Sequence, residues 1–164
     1  METKELFEKI EETAAAYIEQ INSLDNDAMN KIPFENSWNV GQLFEHVTKS
    51  NKGVASLMLK PFPLTERGPE EFVEKLRSIF LSIENRFDAP DFIVPGNGPF
   101  DKEKISAELD SSFKQFIKNA SQANLNEQTE GMPFGPATKL EVVHFVLYHS
   151  QRHLRQLQKI CAAL

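Results

Sequence analysis

The sequence contains very little cysteine, and this excludes two kinds of small protein. Cys161 is the only cysteine among 164 residues, so the chain has no internal disulfide and no cysteine-rich zinc module. It lies in the apolar tail ICAAL, where the simplest interpretation is a small buried hydrophobic side chain. The length fits one domain of ordinary size with a substantial core.

Long apolar runs and positive charge are also scarce. No apolar run approaches the roughly 20 residues of a membrane-spanning helix, and the acidic start METKELFEKIEE lacks the apolar centre of a signal peptide. The 24 Asp and Glu residues outnumber the 18 Lys and Arg residues, which gives a net charge of −6, whereas a nucleic-acid-binding surface is basic. We therefore expect a cytoplasmic protein that binds neither a membrane nor nucleic acid, and its partner is expected to be a small molecule.

Signals for β-strands are nearly absent as well. FIV at 92–94 has suitable residues, but prolines stand close on both sides of it. Helical periodicity and chain breakers instead predict four long helices and a shorter one, with a loop over 26–38; the helices span 3–24, 39–60, 70–87, 101–123 and 137–162. The sequence thus predicts a single all-α domain over residues 1–164, a four-helix bundle with a shorter helix in the crossover.

Three of the four histidines fall within the ten residues HFVLYHSQRH. His149 and His153 are four residues apart, so they share one face of the last helix, and that face is otherwise mostly apolar. His144 falls on nearly the opposite face. On the second long helix, His46 also lies on an apolar face. Two helices are therefore each expected to present inward histidines at mid-height.

A divalent metal ion explains these histidines economically. Neutral imidazole is the commonest protein ligand of zinc and also suits nickel, iron and copper, and three protein ligands leave a position open for water or substrate. The alternative is that His46, His149 and His153 are core histidines satisfied by hydrogen bonds. HSQRH lacks the glutamate of the H-E-x-x-H peptidase motif, and the paired Glu-x-x-His motifs of di-iron bundles are absent. The expected site is therefore mononuclear.

Four further polar residues are candidates for the surroundings of such a site. Gln42 precedes His46 by one turn, Ser50 follows it by one turn, and Gln156 flanks the second histidine of the pair on the last helix. These three either orient the ligands or the metal-bound water, or simply bond to backbone. Arg152, rotated off the histidine face, either holds a substrate carboxylate at the rim or is an ordinary surface arginine.

Two segments carry a resemblance to a known family. SWNVGQLFEHVTKSN, with its Trp38, Gly41, Gln42 and His46, resembles the second-helix signature of the DinB-like family of small metal-binding bundles. HFVLYHSQRHLRQL resembles the last-helix signature of that family, in which YHxxxH supplies two metal ligands. The chain is also similar to the family in length and in helix order.

The resemblance implies a fold, a ligand set and a range of activities. The implied fold is an up-up-down-down four-helix bundle, often dimeric, with a divalent ion (zinc or nickel) held by His46, His149 and His153. Characterised members are thiol S-transferases or a mycothiol-dependent isomerase, so a low-molecular-weight thiol is a candidate cosubstrate. Three hypotheses follow: an enzyme that transfers a small-molecule thiol to an electrophile, a non-catalytic bundle that binds a metal or small ligand, and a metal-assisted hydrolase. Nothing in the residues discriminates the first from the second.

Overall fold

A computed structural model describes residues 2–82 and 88–164. In these residues it contains six α-helices: α1 (Thr3–Gln20), α2 (Asn26–Asn30), α3 (Val40–Met58), α4 (Val73–Leu81), α5 (Lys102–Ala120) and α6 (Lys139–Ala162). The two-residue strands β1 (Gln128–Thr129) and β2 (Ala137–Thr138) pair antiparallel, and a 3-10 turn spans Asp91–Ile93. The predicted all-α bundle is confirmed. No helix in the described part of the chain is long and apolar enough to cross a membrane.

Contacts near the helix ends determine the helix directions. Lys102, at the start of α5, donates hydrogen bonds to the carbonyls of Asn22 and Leu24, just beyond the end of α1, so α1 and α5 are antiparallel. Lys139, at the start of α6, donates to the carbonyl of Met58 at the end of α3, so α3 and α6 are antiparallel too. The four long helices surround one apolar core in the cyclic order α1, α5, α3, α6.

The order of directions corrects one expectation taken from the family resemblance. Asn119, near the end of α5, donates to the carbonyl of Ala55, near the end of α3, so these two helices are parallel. Along the chain the bundle therefore runs up-down-down-up rather than up-up-down-down. An up-up-down-down order needs two long crossovers. Here α3 ends and α5 begins at opposite ends of the bundle, whereas the links 21–39 and 121–138 each join helix ends at the same end of it.

The shorter crossover helix is confirmed, but it begins later than predicted. α4 begins at Val73 rather than at residue 70, because the backbone N–H of Phe72 donates to the Glu141 carboxylate and the preceding residues form turns. Residues 83–87, the predicted end of this helix, lie outside the described residues. The FIV segment contributes to a 3-10 turn instead of a strand.

The stretch predicted as a loop over 26–38 contains the short helix α2. The Asp25 carboxylate accepts a hydrogen bond from the Ala28 N–H at 2.8 Å, which is a helix N-cap, and Met29 is fully buried. The first turn of α3 lies in close contact with the side chain of Phe100. A Cβ atom on Gly41 would overlap the ring of Phe100, so this position accepts only glycine without a shift of the ring.

Glu141 connects the crossover to the start of α6. Its fully buried carboxylate accepts two hydrogen bonds from the Arg67 guanidinium, both 2.7 Å long, in a bidentate pair. It also accepts from the N–H of Phe72 at 2.8 Å and from the N–H of Thr138 at 2.9 Å. Because all of its acceptor capacity is used, this buried charge stabilises the position of the crossover against α6.

Glu141→Gln is predicted to lower the free energy of unfolding by about 2–4 kcal/mol, since it leaves a partly buried arginine without its counter-charge. Urea unfolding followed by circular dichroism measures the change. Asp110→Asn is the matched control, because Asp110 forms an exposed pair with Lys114 and its loss should cost less than about 0.5 kcal/mol. Equal effects of the two changes would show that the Arg67–Glu141 pair has no special role.

The same carboxylate predicts how stability depends on pH. Burial by itself raises the pKa of Glu141, but Arg67 and the two backbone N–H groups outweigh it, so the pKa lies below its usual value. Such a carboxyl stabilises the fold above about pH 4.3, its unfolded value, and loses this contribution as the pH falls through the folded pKa. Below about pH 4, unfolding free energy should therefore fall more steeply in the wild-type protein than in Glu141→Gln. Parallel curves would contradict the assignment.

Candidate metal centre

Three imidazole rings converge between α3 and α6. Nε2 of His46 lies 3.3 Å from Nε2 of His149 and 3.1 Å from Nε2 of His153. One ligand nitrogen from each ring lies within 4.8 Å of the other two. Two nitrogens bound to one zinc ion at about 2.0–2.1 Å lie about 3.3 Å apart at tetrahedral angles and about 2.9 Å apart at right angles. The ring nitrogens are thus spaced like ligands of a single ion.

The fold explains why these three rings meet. His149 and His153 are one turn apart on α6, and the antiparallel α3 brings His46 to the same level of the bundle. The residues proposed from sequence are therefore brought together. His144 lies apart from them, and its Nδ1 is 3.2 Å from the hydroxyl oxygen of Tyr148.

The outer hydrogen bonds place the protons of two rings. Nδ1 of His46 lies 3.0 Å from the carbonyl oxygen of Ile93, and Nδ1 of His153 lies 2.8 Å from Oε1 of Gln156. Both oxygens accept hydrogen bonds, so both Nδ1 atoms carry the proton, and each neutral ring has a lone pair on Nε2. These two lone pairs face each other across 3.1 Å, where they repel unless a cation lies between them. The donor set therefore fits a divalent metal ion.

Burial favours the neutral rings that a metal requires. His46 and His149 are 3% and 6% exposed, whereas His153 is half-buried and marks the side nearest solvent. Burial is the largest cause that lowers the pKa of each ring, and the neighbouring imidazoles lower it further for His149 and His153. The pKa of His153 falls to about 3. A ring that stays neutral keeps its lone pair available for coordination.

Comparison with known proteins agrees with this geometry. The family model of the DinB superfamily matches residues 9–157, which include all three histidines. The chain belongs to the DinB superfamily. It is 24% identical over 146 residues to the uncharacterized protein YuaE of Bacillus subtilis (strain 168), and the alignment covers 86% of this chain and 88% of that protein. No solved structure matches the chain at a significant level.

In this DinB superfamily protein, three side chains of α3 hold the crossover in place just after Ile93, whose carbonyl bonds His46. Gln42 Nε2 donates to the carbonyl of Gly96 at 3.1 Å, and the N–H of Gly96 donates to Glu45 Oε2 at 2.6 Å. Lys49 Nζ donates to the carbonyl of Val94 at 2.9 Å. We call Gln42, Glu45 and Lys49 the crossover clamp. It fixes the backbone on the C-terminal side of the carbonyl that accepts the histidine proton.

The clamp was only partly visible in the sequence. Of the two roles predicted for Gln42, the structure shows the backbone one: its side chain donates to the carbonyl of Gly96 and accepts from the N–H of Asn39 in a capping box. Glu45 and Lys49 were not proposed for the site, because both point away from the histidine face. Their partners are backbone groups about fifty residues away, and no side-chain pattern in the sequence indicates such contacts.

The remaining candidates are divided between the ligands and the neighbouring helix. Gln156 bonds a ligand ring, as described above. Ser50 is buried one turn beyond His46, and in the described residues it makes no hydrogen bond to the three rings. Arg152 donates to the carbonyls of Phe80 and Ser82 at 3.3 and 2.8 Å, so its guanidinium holds the end of α4 beside the triad.

Aromatic rings form an apolar wall around the histidines. The Trp38 ring centroid lies 4.9 Å from that of His46. Phe145 and Phe80 lie 5.1 and 6.3 Å from His149, again between ring centroids. Phe134, from the loop before α6, packs on both of these phenylalanines. The wall excludes water from the triad on these sides.

Lys49→Met is predicted to change the tautomer of His46. The substitution removes the hydrogen bond to the Val94 carbonyl, which helps to hold the neighbouring Ile93 carbonyl against Nδ1 of His46. In the metal-free protein, 15N NMR of the imidazoles should show a mixture of His46 tautomers instead of Nδ1–H alone. Zinc affinity should fall roughly 3- to 10-fold, below the effect of losing a direct partner. Lys52→Met, an exposed lysine on the same helix, is the control. An unchanged tautomer in Lys49→Met would refute the role of the clamp.

Proposed function

We propose that this protein is a metal-dependent enzyme that transfers a small-molecule thiol to an electrophilic substrate. The ion, zinc or nickel, would be held by His46, His149 and His153. The observation that carries this proposal is the pair of Nε2 lone pairs that face each other across 3.1 Å. Three protein ligands leave a coordination position open, which is the arrangement of catalytic rather than structural sites. The half-buried His153 suggests the side from which substrate arrives.

The proposed reaction divides the work between the ion and the chain. A bound divalent ion lowers the pKa of a coordinated thiol and stabilises its thiolate. In the transfer, the thiol proton passes to solvent, the sulfur forms a bond to the electrophilic carbon, and the leaving group departs with the electron pair of the broken bond. Ile93 and Gln156 keep two ligand rings in the tautomer that presents Nε2. The aromatic wall supplies contact for apolar parts of a substrate.

The surroundings of the triad bear on one of the two alternatives, the metal-assisted hydrolase. That hydrolase would attack with a metal-bound hydroxide, and a carboxylate beside the ligands would assist it as a base. In the described part of the chain no Asp, Glu or Cys joins the three histidines as a further ligand group. Glu45, next to His46 in sequence, is already bonded to the N–H of Gly96. A non-catalytic bundle stays the second candidate, because the guanidinium of Arg152, the predicted partner of a substrate carboxylate, is bonded to α4 carbonyls instead. The dimer, the cytoplasmic location and the single domain stay predictions.

His149→Ala is predicted to remove metal and activity together. Metal content, measured by mass spectrometry of the purified protein, should fall far below one ion per chain. Activity in a screen of small thiols with an electrophilic dye should fall at least about 100-fold, since a ligand matters more than its outer partners. The melting temperature should change little, because the bundle has its own apolar core.

His144→Ala is the matched control for this experiment, since it removes a histidine from the same helix but should leave the metal content intact. Unchanged metal content in His149→Ala would contradict the proposed ligand set. A large fall in the melting temperature, equal to that caused by a chelator, would identify the ion as structural and favour the non-catalytic alternative.

A further inference from the structure

A second polar cleft lies on another side of α6 from the triad. Its volume is about 480 Å3, and it is lined by α1, α4 with the turn before it, and α6. This size lies within the range of small-molecule sites. His144, which lines it, precedes His149 by five residues, so their side chains leave α6 about 140° apart. The cleft therefore contains none of the metal ligands, and the proposed function does not use it.

Two buried side chains of α6, His144 and Tyr148, meet in this cleft. They are 3% and 6% exposed, and Nδ1 of His144 lies 3.2 Å from the Tyr148 hydroxyl oxygen. If the hydroxyl donates this bond, the ring keeps Nε2–H as a donor and the oxygen keeps a lone pair. If Nδ1–H donates it, Nε2 is the acceptor and the hydroxyl is the donor. In either case the pair retains one free donor and one free acceptor.

These free groups are unsatisfied in the part of the chain that the structure describes. There, Nε2 of His144 has no hydrogen-bond partner, and the Tyr148 hydroxyl has none besides His144. Nε2 of His144 is not among the fully buried polar side-chain atoms that lack a partner in the described residues, so this atom is open to the cleft, which Tyr148 also lines and where a ligand can reach it. Burial also lowers the pKa of His144, which keeps the ring neutral. The cleft thus presents a neutral donor and acceptor, which match the C=O and N–H of an amide.

Charges of both signs surround this buried pair. Lys9 and Arg77 are the rim cations, and Glu70 and Glu74 are the rim carboxylates. Arg77 and Glu74 lie 3.8 Å apart in an exposed pair, and Lys9 pairs with Glu5 on the surface at 2.8 Å. Exposed pairs of this kind contribute little, so a ligand can replace them. Two charges of each sign favour a ligand that itself carries both signs.

Other ligand classes fit the cleft less well. A simple anion or cation would meet as many like charges as opposite ones on the rim. A metal ion would need a third ligand, and the triad is the one group of three His, Cys, Asp or Glu that converges within residues 2–82 and 88–164. A zwitterion with an amide between its charged ends matches both the rim and the buried pair.

We propose that this cleft is a second small-molecule site, which binds a short zwitterionic peptide through the His144–Tyr148 pair and the charges of the rim. The amide of the ligand would bond the buried pair. Its carboxylate would lie against the rim cations and its ammonium against the rim carboxylates. The site is separate from the metal centre and does not depend on the thiol-transfer proposal.

Three small probes test this site by NMR of the full-length protein as purified. Glycylglycine has both charged ends and an amide, N-acetylglycine lacks the ammonium, and glycinamide lacks the carboxylate. We expect glycylglycine to shift the ring signals of His144 saturably in the millimolar range. The other two probes should bind roughly 2- to 5-fold more weakly, as expected for the loss of one exposed charged contact. His144→Gln serves to assign the signals.

Two variants test the rim with matched probes. Arg77→Gln should reduce the preference for glycylglycine over glycinamide, and Glu74→Gln should reduce its preference over N-acetylglycine. Both residues are exposed, so neither change should disturb folding. Lys118→Gln, an exposed lysine on α5, controls for the change in net charge. The proposal is wrong if no probe shifts His144 saturably, if all three bind equally, or if the shifts are confined to the metal-ligand histidines.

Discussion

The structure depends on keeping three neutral imidazoles within contact distance of one another in a buried place. Nε2 lone pairs 3.1 Å apart repel unless a cation lies between them, and each ring also needs an acceptor for its outer proton. Two helices that face each other can supply the rings but not all the acceptors, since their backbone carbonyls are already bonded within the helix. The acceptor for His46 therefore comes from the crossover, at Ile93.

The up-down-down-up order provides that acceptor. Because α3 and α5 are parallel, the chain must travel back along the bundle between them, and its path passes the triad. The return segment brings Ile93 to His46 and, through α4, places Phe80 against His149. The crossover clamp and the Arg67–Glu141 pair then hold this long connection in position at both ends of the bundle. A topology with short links alone would leave the α3 histidine without this partner.

The sequence predicted the parts of the site that follow from helical geometry and missed those that follow from the path of the chain. A 100° rotation per residue suffices to place His149 and His153 on one inward face and His144 on another. Face patterns are the same for either helix direction, so they could not establish the up-down-down-up order. Nor could they reveal the Ile93 carbonyl, because a backbone group leaves no signature in residue type. Strands as short as β1 and β2 likewise carry no periodicity to detect.

The two polar faces of α6 share one neighbour, α4. Arg152 bonds the carbonyls of Phe80 and Ser82 beside the triad, whereas Arg77 and Glu74 on the same short helix form the rim of the second cleft. One path for energetic coupling between the triad and the second cleft, besides α6 itself, runs through α4. A ligand uses such a path only if it binds two arrangements of the connecting element unequally. Arg67 and Glu141 hold the chain just before α4 through the N–H of Phe72. Movement of α4 is thus restrained at its start by the Arg67–Glu141 pair and at its end by Arg152, which weakens this path between the triad and the second cleft.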